Sequence, residues 1–153
     1  MSSPHIDLTD PTDPTDLTDL ADRYAAVWNE PDAGRRHQQI TDLWAPAGRQ
    51  VLVDPPEEVR AAAEHHQFLA PPLTVHGHEA LEARVTRAYD NFIAAGDYVF
   101  VASGPATRLL GHVVSLAWEM VATADGSHAG GGVNVVELDD DGRIVVDYQF
   151  IER

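Results

Sequence analysis

The side chains with chemical potential in this sequence are polar groups set into apolar runs. Tyr24 shares spacings of three and four with Leu17, Leu20, Ala21, Val27 and Trp28, which puts its phenol on the inward face of an amphipathic helix. Asn134 interrupts a run of valines, Val133, Val135 and Val136. A buried amide must find partners, so it is either a satisfied structural group or one held ready for a ligand. His112 opens the alternating stretch GHVVSLAWEM, in which His112, Val114, Leu116, Trp118 and Met120 share one face. That face carries the larger apolar groups and is expected inside, where an imidazole could act as acid or base. Asp54 closes QVLVD just before Pro55 and Pro56, and Asp147 sits in the last apolar run.

Other chemistries are excluded or disfavoured by composition. The 153 residues contain no cysteine, which removes disulfides, thiolate nucleophiles and cysteine-bound zinc. Eight histidines raise the question of a metal, but His65 and His66 are adjacent on a helical stretch and point apart, and His78 opens a separate helix next to His76. No metal site and no cofactor is expected. The formal charge of −15 repels nucleic acid and anionic membranes, and no apolar run approaches the roughly 20 residues of a membrane span. Without the basic and apolar regions of a signal peptide at the N-terminus, the expected compartment is the cytoplasm. Every basic side chain is arginine, a bias that fits either a GC-rich bacterial genome or adaptation to high salt.

The elements that must position these groups follow from periodicity. Residues 1–16 repeat Thr-Asp-Pro and Thr-Asp-Leu, an acidic, proline-punctuated tail unable to bury enough surface to order itself, and residues 17–153 form one domain. The first helix ends at Asn29-Glu30-Pro31-Asp32, where Asp32 can cap a second helix from about Ala33 to Leu43. Gln50 to Asp54 reads as a strand, residues 57–69 as a proline-bounded helical insertion that is either a lid or a surface excursion, and Gly77 to about Ala95 as a long helix. Strands follow at Tyr98 to Ala102, Thr107 to Ala122 and in a C-terminal hairpin turning at Asp139-Asp140-Asp141-Gly142. In the last strand the aromatic face of Ile144, Val146, Tyr148 and Phe150 is expected inside, and a bulge would exchange the faces. Helices first and antiparallel strands afterwards make an α+β domain, in which a curved, mostly antiparallel sheet wraps its apolar face around the helices. The mouth of such a sheet leaves a pocket, walled by Trp28, Trp118 and Met120 with Tyr148 and His112 as further ligand contacts.

The order of elements, with RYAAVWNEPD, LWAP, VDP, GHEAL and VNVVELDDDGRI, resembles the nuclear transport factor 2-like superfamily from about Leu17 to Glu152. The resemblance implies that superfamily's cone-shaped α+β barrel, a curved sheet wrapped around three helices; its members include ketosteroid isomerase, scytalone dehydratase, limonene epoxide hydrolase and the SnoaL-like polyketide cyclases. The resemblance to ketosteroid isomerase is the sharpest. It implies that Tyr24 is the helix tyrosine that hydrogen-bonds a developing enolate oxygen, that Asp54 is the base at the first strand's end, and that Asn134 takes the place of the second oxyanion donor, a protonated Asp in that enzyme. An amide donates at any pH, so the donor role survives the change, whereas Asn134 cannot transfer protons as the acidic residues of cyclases and epoxide hydrolases do.

What the resemblance implies is a homodimer, through its outer sheet face, that binds a small apolar carbonyl compound and catalyses an isomerase-like or cyclase-like proton transfer. Two other readings stand beside it: a non-catalytic binding or dimerisation module of the same fold, and a hydrolase or dehydratase using His112 and Asp147, which requires Asp147 on the interior face of the last strand.

Overall fold

The computed structural model describes residues 14–53 and 73–152. Helix α1 runs Pro14–Asn29, so it opens three residues earlier than its apolar stripe predicts; proline suits a first turn, where the missing N–H would have no partner. Its inward stripe is that of the periodicity: Leu17, Leu20, Ala21, Tyr24, Val27 and Trp28 are all buried. After the break at Pro31, Asp32 caps α2 (Ala33–Leu43), its carboxylate accepting from the Arg35 N–H at 2.7 Å.

The first strand, β1 (Trp44–Leu52), begins directly after α2 and is longer than QVLVD suggests. The short β2 (Leu73–His76), which the sequence reading does not separate from its surroundings, pairs antiparallel with it. Helix α3 (His78–Ala88) buries Leu81, Val85 and Ala88, then loosens into a π-helical turn, Tyr89–Ile93, in place of the regular continuation expected to about Ala95. The remaining strands are β3 (Tyr98–Ala102), β4 (Thr107–Leu110), β5 (Val113–Ala122), β6 (His128–Leu138) and β7 (Ile144–Ile151). In the hairpin between the last two, Gly142 takes a φ of 83°, the positive angle that Asp-Gly makes cheap.

These strands form one curved, unclosed seven-stranded sheet in the order β2-β1-β7-β6-β5-β3, with β4 pairing β5. Only β1 and β7 pair in parallel among these strands. The three helices lie across the concave face, and the core between them contains Trp44, Leu20, Ile40, Leu43, Leu81, Val85, Val114, Leu116, Val136 and Ile144. The expected cone-shaped α+β architecture is therefore present.

Two local departures decide which side chains reach the interior. The stretch from Thr107 to Ala122 is not one strand: it folds back at Gly111-His112, so Arg108 faces Val114 and Leu110 faces Val113. The expected inward alternation holds for Val114 and Leu116, both buried, but His112 falls in the turn. In β7, Ile144 pairs Leu138 while Val146 pairs the adjacent Glu137, leaving Val145 as an extra residue, a β-bulge. Because side chains alternate with period 2, one inserted residue exchanges the faces. Asp147 and Gln149 consequently point inward and are buried, whereas Tyr148 and Phe150 lie on the outer face, 38% and 45% exposed. The expectation of an inward aromatic face is corrected from Tyr148 onward, with the bulge as the cause.

Candidate active site

The site is built where α1, α3 and the inward faces of β1, β6 and β7 converge. Tyr24 comes from α1, Gln50 from β1, Arg84 from α3, Asn134 from β6, and Asp147 and Gln149 from β7. Asn134 stands across from Gln149, and Val136 across from Asp147, so the register of the hairpin brings the amide beside the carboxylate. Asn29 secures α1 over the sheet: its side chain donates to the Phe100 carbonyl at 2.7 Å and accepts from the Phe100 N–H at 2.9 Å, as a neighbouring strand would.

At the centre is the Asp147 carboxylate, fully buried. Its Oδ2 accepts from the Tyr24 hydroxyl at 2.7 Å and from Gln50 Nε2 at 3.1 Å; its Oδ1 accepts from Asn134 Nδ2 at 2.6 Å. The Tyr24 oxygen in turn accepts from Asn134 Nδ2 at 2.7 Å and Gln50 Nε2 at 3.1 Å. Donor-only neighbours fix the direction of both amides. The Trp118 indole N–H donates to Asn134 Oδ1 at 2.8 Å, and Arg84 Nε donates to Gln50 Oε1 at 2.7 Å, so each NH₂ must face Asp147 and Tyr24. Arg84 Nη2 also donates to Gln149 Oε1 at 2.7 Å.

Burial dominates the electrostatics. It pushes the Asp147 carboxyl up from 3.8 to about 6, against the opposing pull of the hydrogen bonds from Tyr24, Asn134 and Gln50 and of the Arg84 charge. Burial, followed by the adjacent Asp147 charge, raises the Tyr24 phenol well above its ordinary value. The cluster therefore holds one exchangeable proton near neutrality, on Asp147, with the Tyr24 oxygen in hydrogen-bond contact for relaying it.

Tyr24, Arg84 and Gln149 form the polar part of the wall of a cavity of about 280 Å³, with Glu152 as a further polar lining residue. The rest is apolar and largely aromatic: Trp28, Phe92, Phe100, Trp118, Met120, Leu52 and Ile151. Phe100 meets Trp28 and Trp118 edge-on, at centroid separations of 6.4 and 5.7 Å. Along β6, Gly130 and Gly131 leave bare backbone on the wall, and a Cβ at Gly131 would stand 2.6 Å from the Glu152 carboxylate and 2.7 Å from the Trp118 carbonyl oxygen. Glycine at 131 is therefore required by the close approach of the Trp118 backbone and Glu152.

Of the residues singled out by sequence, Tyr24, Trp28, Trp118 and Met120 line this cavity. Asn134 is fully buried one layer behind it, its NH₂ turned onto Tyr24 and Asp147. His112 and Tyr148 are not among the lining residues. His112 lies at the far end of β5 from Trp118 and Met120, and its Nδ1 is buried with no hydrogen-bond partner among the described residues. Asp54 and the insertion 57–69 lie outside the described residues; Leu52, two positions before Asp54, lines the cavity.

Two members of the cluster, Gln50 and Arg84, were not singled out. Gln50 shares strand parity with the buried Leu52, and Arg84 shares the helical stripe of Leu81 and Ala88, so both carried a signal as polar residues at inward positions. Gln149 could be placed only with the bulge in hand.

No family model and no curated protein matches the sequence. Solved structures do match the fold. One is a proposed isomerase of the SnoaL-like family from Agrobacterium tumefaciens str. C58, at TM-score 0.68 and 26% identity over 91% of this chain and 99% of that one. Another is an NTF2-like protein of unknown function from Exiguobacterium sp. 255-15, at TM-score 0.59 and 19% identity, covering 87% and 98% of the two chains. A third is a proposed polyketide cyclase from Sinorhizobium meliloti, at TM-score 0.53 and 15% identity over 89% and 97%.

Proposed function

We propose, on the premise that the chain belongs to the nuclear transport factor 2-like superfamily, that it binds a small apolar carbonyl compound in the cavity and moves a proton on it, as an isomerase or cyclase does. The observation that carries this reading is the contact between the cavity-lining Tyr24 hydroxyl and the buried Asp147 carboxyl, whose proton is exchangeable at about pH 6. With Asp147 protonated, the Tyr24 O–H turns from Asp147 Oδ2 to the substrate oxygen, one amide N–H releasing the phenol oxygen to make room for the Asp147 O–H; as the substrate loses a proton from carbon, Tyr24 gives its hydroxyl proton to the carbonyl oxygen and recovers one from Asp147, so no charged enolate has to persist in the apolar site. Asp54 is the proposed base for the carbon proton. Asn134 acts as a positioning residue, holding the carboxyl and phenol in register through its NH₂. No cofactor is needed for this step.

The test is exchange of the α-protons of a ring ketone such as 2-tetralone for deuterium, followed by NMR. Wild-type protein is expected to accelerate exchange, and Tyr24→Phe and Asp147→Asn each to lower that acceleration by about 10² or more. Binding of the ketone without any acceleration would instead support the non-catalytic module. That second reading draws on one observation: the Tyr24 oxygen already donates once and accepts twice within the protein. The hydrolase reading through His112 and Asp147 has less support, because Asp147 is inward but His112 does not line the cavity.

We further propose that the chain pairs with a second copy through the outer face of the sheet. Val133 stands across from Phe150 and Val135 across from Tyr148 there, and Val133, Tyr148 and Phe150 are between 38% and 45% exposed, an apolar patch that water disfavours. Sedimentation should give a dimer for the wild type and a monomer for Phe150→Glu; a monomeric wild type at micromolar concentration would refute the pairing. Among the described residues, no helix is long and apolar enough to cross a membrane.

A further inference from the structure

Arg84 is an unusual wall for an apolar cavity. A guanidinium taken from water is costly unless its hydrogen bonds and its charge are both answered. Its hydrogen bonds are answered only by neutral groups: Nε by the Gln50 carbonyl and Nη2 by the Gln149 carbonyl, each at 2.7 Å. Nη1 has no hydrogen bond among the described residues, and the guanidinium lies over the Trp28 ring, its central carbon 5.4 Å from the centroid. Asp147, joined to Arg84 through the Gln50 side chain, acts on the guanidinium by its charge but makes no direct hydrogen bond or ion pair with it among the described residues. Glu152, the other ionisable group on the wall besides Tyr24, is already engaged, its Oε1 2.8 Å from His128 Nε2, and His128 Nδ1 is 2.9 Å from Glu119. The cavity thus offers a cation held rigidly by two amides, with the Nη1 hydrogens and one hydrogen of Nη2 free of protein acceptors among the described residues.

We infer that the cavity is made for a monoanion, with an apolar ring body lying against Trp28, Phe100 and Trp118 and a single carboxylate set on Arg84. This rests on the reading that a small carbonyl compound occupies the cavity, and it narrows that compound to one bearing an acid group. The two glutamine carbonyls aim the guanidinium edge, and a carboxylate that meets it makes charge-assisted, two-pronged hydrogen bonds in a water-poor setting, where they are strongest. The overall charge of −15 does not reverse the preference. At physiological ionic strength surface charges are screened over about 8 Å, so a bound head group responds chiefly to the cation it touches. Arg84 is the one basic side chain among the described lining residues, which leaves room for one negative group and not several.

The probes are 2-naphthoate and its neutral isostere 2-naphthamide, titrated calorimetrically at pH 8 into wild-type protein, Arg84→Gln and Arg84→Lys. Wild type is expected to bind the acid at least about tenfold more tightly than the amide. Arg84→Gln should abolish the preference for the acid over the amide, and Arg84→Lys, which keeps the charge, should retain a preference for the acid. Equal affinities for acid and amide in the wild type would overturn the inference while leaving the cavity reading intact. Binding of neither probe would overturn both. If Arg84→Gln does not fold, the wild-type comparison of acid with amide still decides.

Discussion

Replacing Asp147 by alanine is expected to cost on the order of 4 kcal/mol at pH 5 and to lower the thermal midpoint by roughly 8–16 °C for a domain of this size. The carboxyl is the shared acceptor of Tyr24, Asn134 and Gln50. Without it, the Tyr24 O–H and one N–H of each amide lose their partner in a place water does not reach, and each such orphan costs about 1–3 kcal/mol. The amides cannot turn away to recover, because Trp118 and Arg84 hold their carbonyls. Side-chain truncation also leaves a small void behind the cavity wall. Melting followed by circular dichroism checks this. A midpoint within 2 °C of wild type would mean that the cluster reorganises freely and that its geometry imposes no order on the site.

The same comparison repeated across pH should give the second large effect, and its sign is fixed by the direction of the Asp147 shift. The folded carboxyl titrates at about 6 against an ordinary 3.8, so the folded state holds the proton more tightly than the unfolded chain. The contribution of Asp147 to stability is therefore complete below about pH 3.8 and is lost as pH rises through about 6, by on the order of 3 kcal/mol in total. Subtracting the Asp147→Ala curve from that of wild type cancels the many surface carboxylates shared by both. The difference should favour wild type most at or below about pH 4 and shrink by roughly 2–3 kcal/mol by pH 8. A difference that grew with pH would show a carboxylate kept ionised by its donors and by Arg84, and proton relay through Tyr24 would then have no proton to draw on near neutrality. Denaturant unfolding at fixed temperature is the cleaner measurement, since it avoids extrapolating between midpoints.

Both effects follow from one competition. Three hydrogen bonds and a nearby guanidinium favour the charged carboxylate, whereas full burial disfavours it, and burial is the larger influence. For a structural role alone, an apolar core at this point would be cheaper. A carboxyl poised close to neutrality behind a cavity-lining phenol is the arrangement that proton transfer needs.

Much of this was legible in the residues themselves. The apolar stripe of α1 placed Tyr24 and Trp28 inward, the alternation of β5 placed Trp118 and Met120, and an amide among valines marked Asn134 as a buried polar group. These are properties of a single element: helical and strand periods act over a few residues and are written in their order. The Asp-Gly turn and the Asp32 cap are local for the same reason.

What local order could not decide was the membership of the cluster. Asp147 and Gln149 face inward because β7 carries one extra residue against β6, and an extra residue is defined only by the strand it pairs with. His112 is carried into a turn away from the cavity wall because Thr107–Leu110 folds back to pair with β5, a competition between a long strand and a hairpin that both patterns permit. The direction of the Asn134 amide, and so its role behind the wall, was set by an indole on β5, and that of Gln50 by a guanidinium on α3. The chain by itself determined the apolar faces of α1 and β5 and the burial of Asn134 among valines. Only the tertiary structure decided which buried polar groups meet, because hydrogen bonds between residues as far apart as Tyr24 and Asp147 depend on register, bulge and helix placement together.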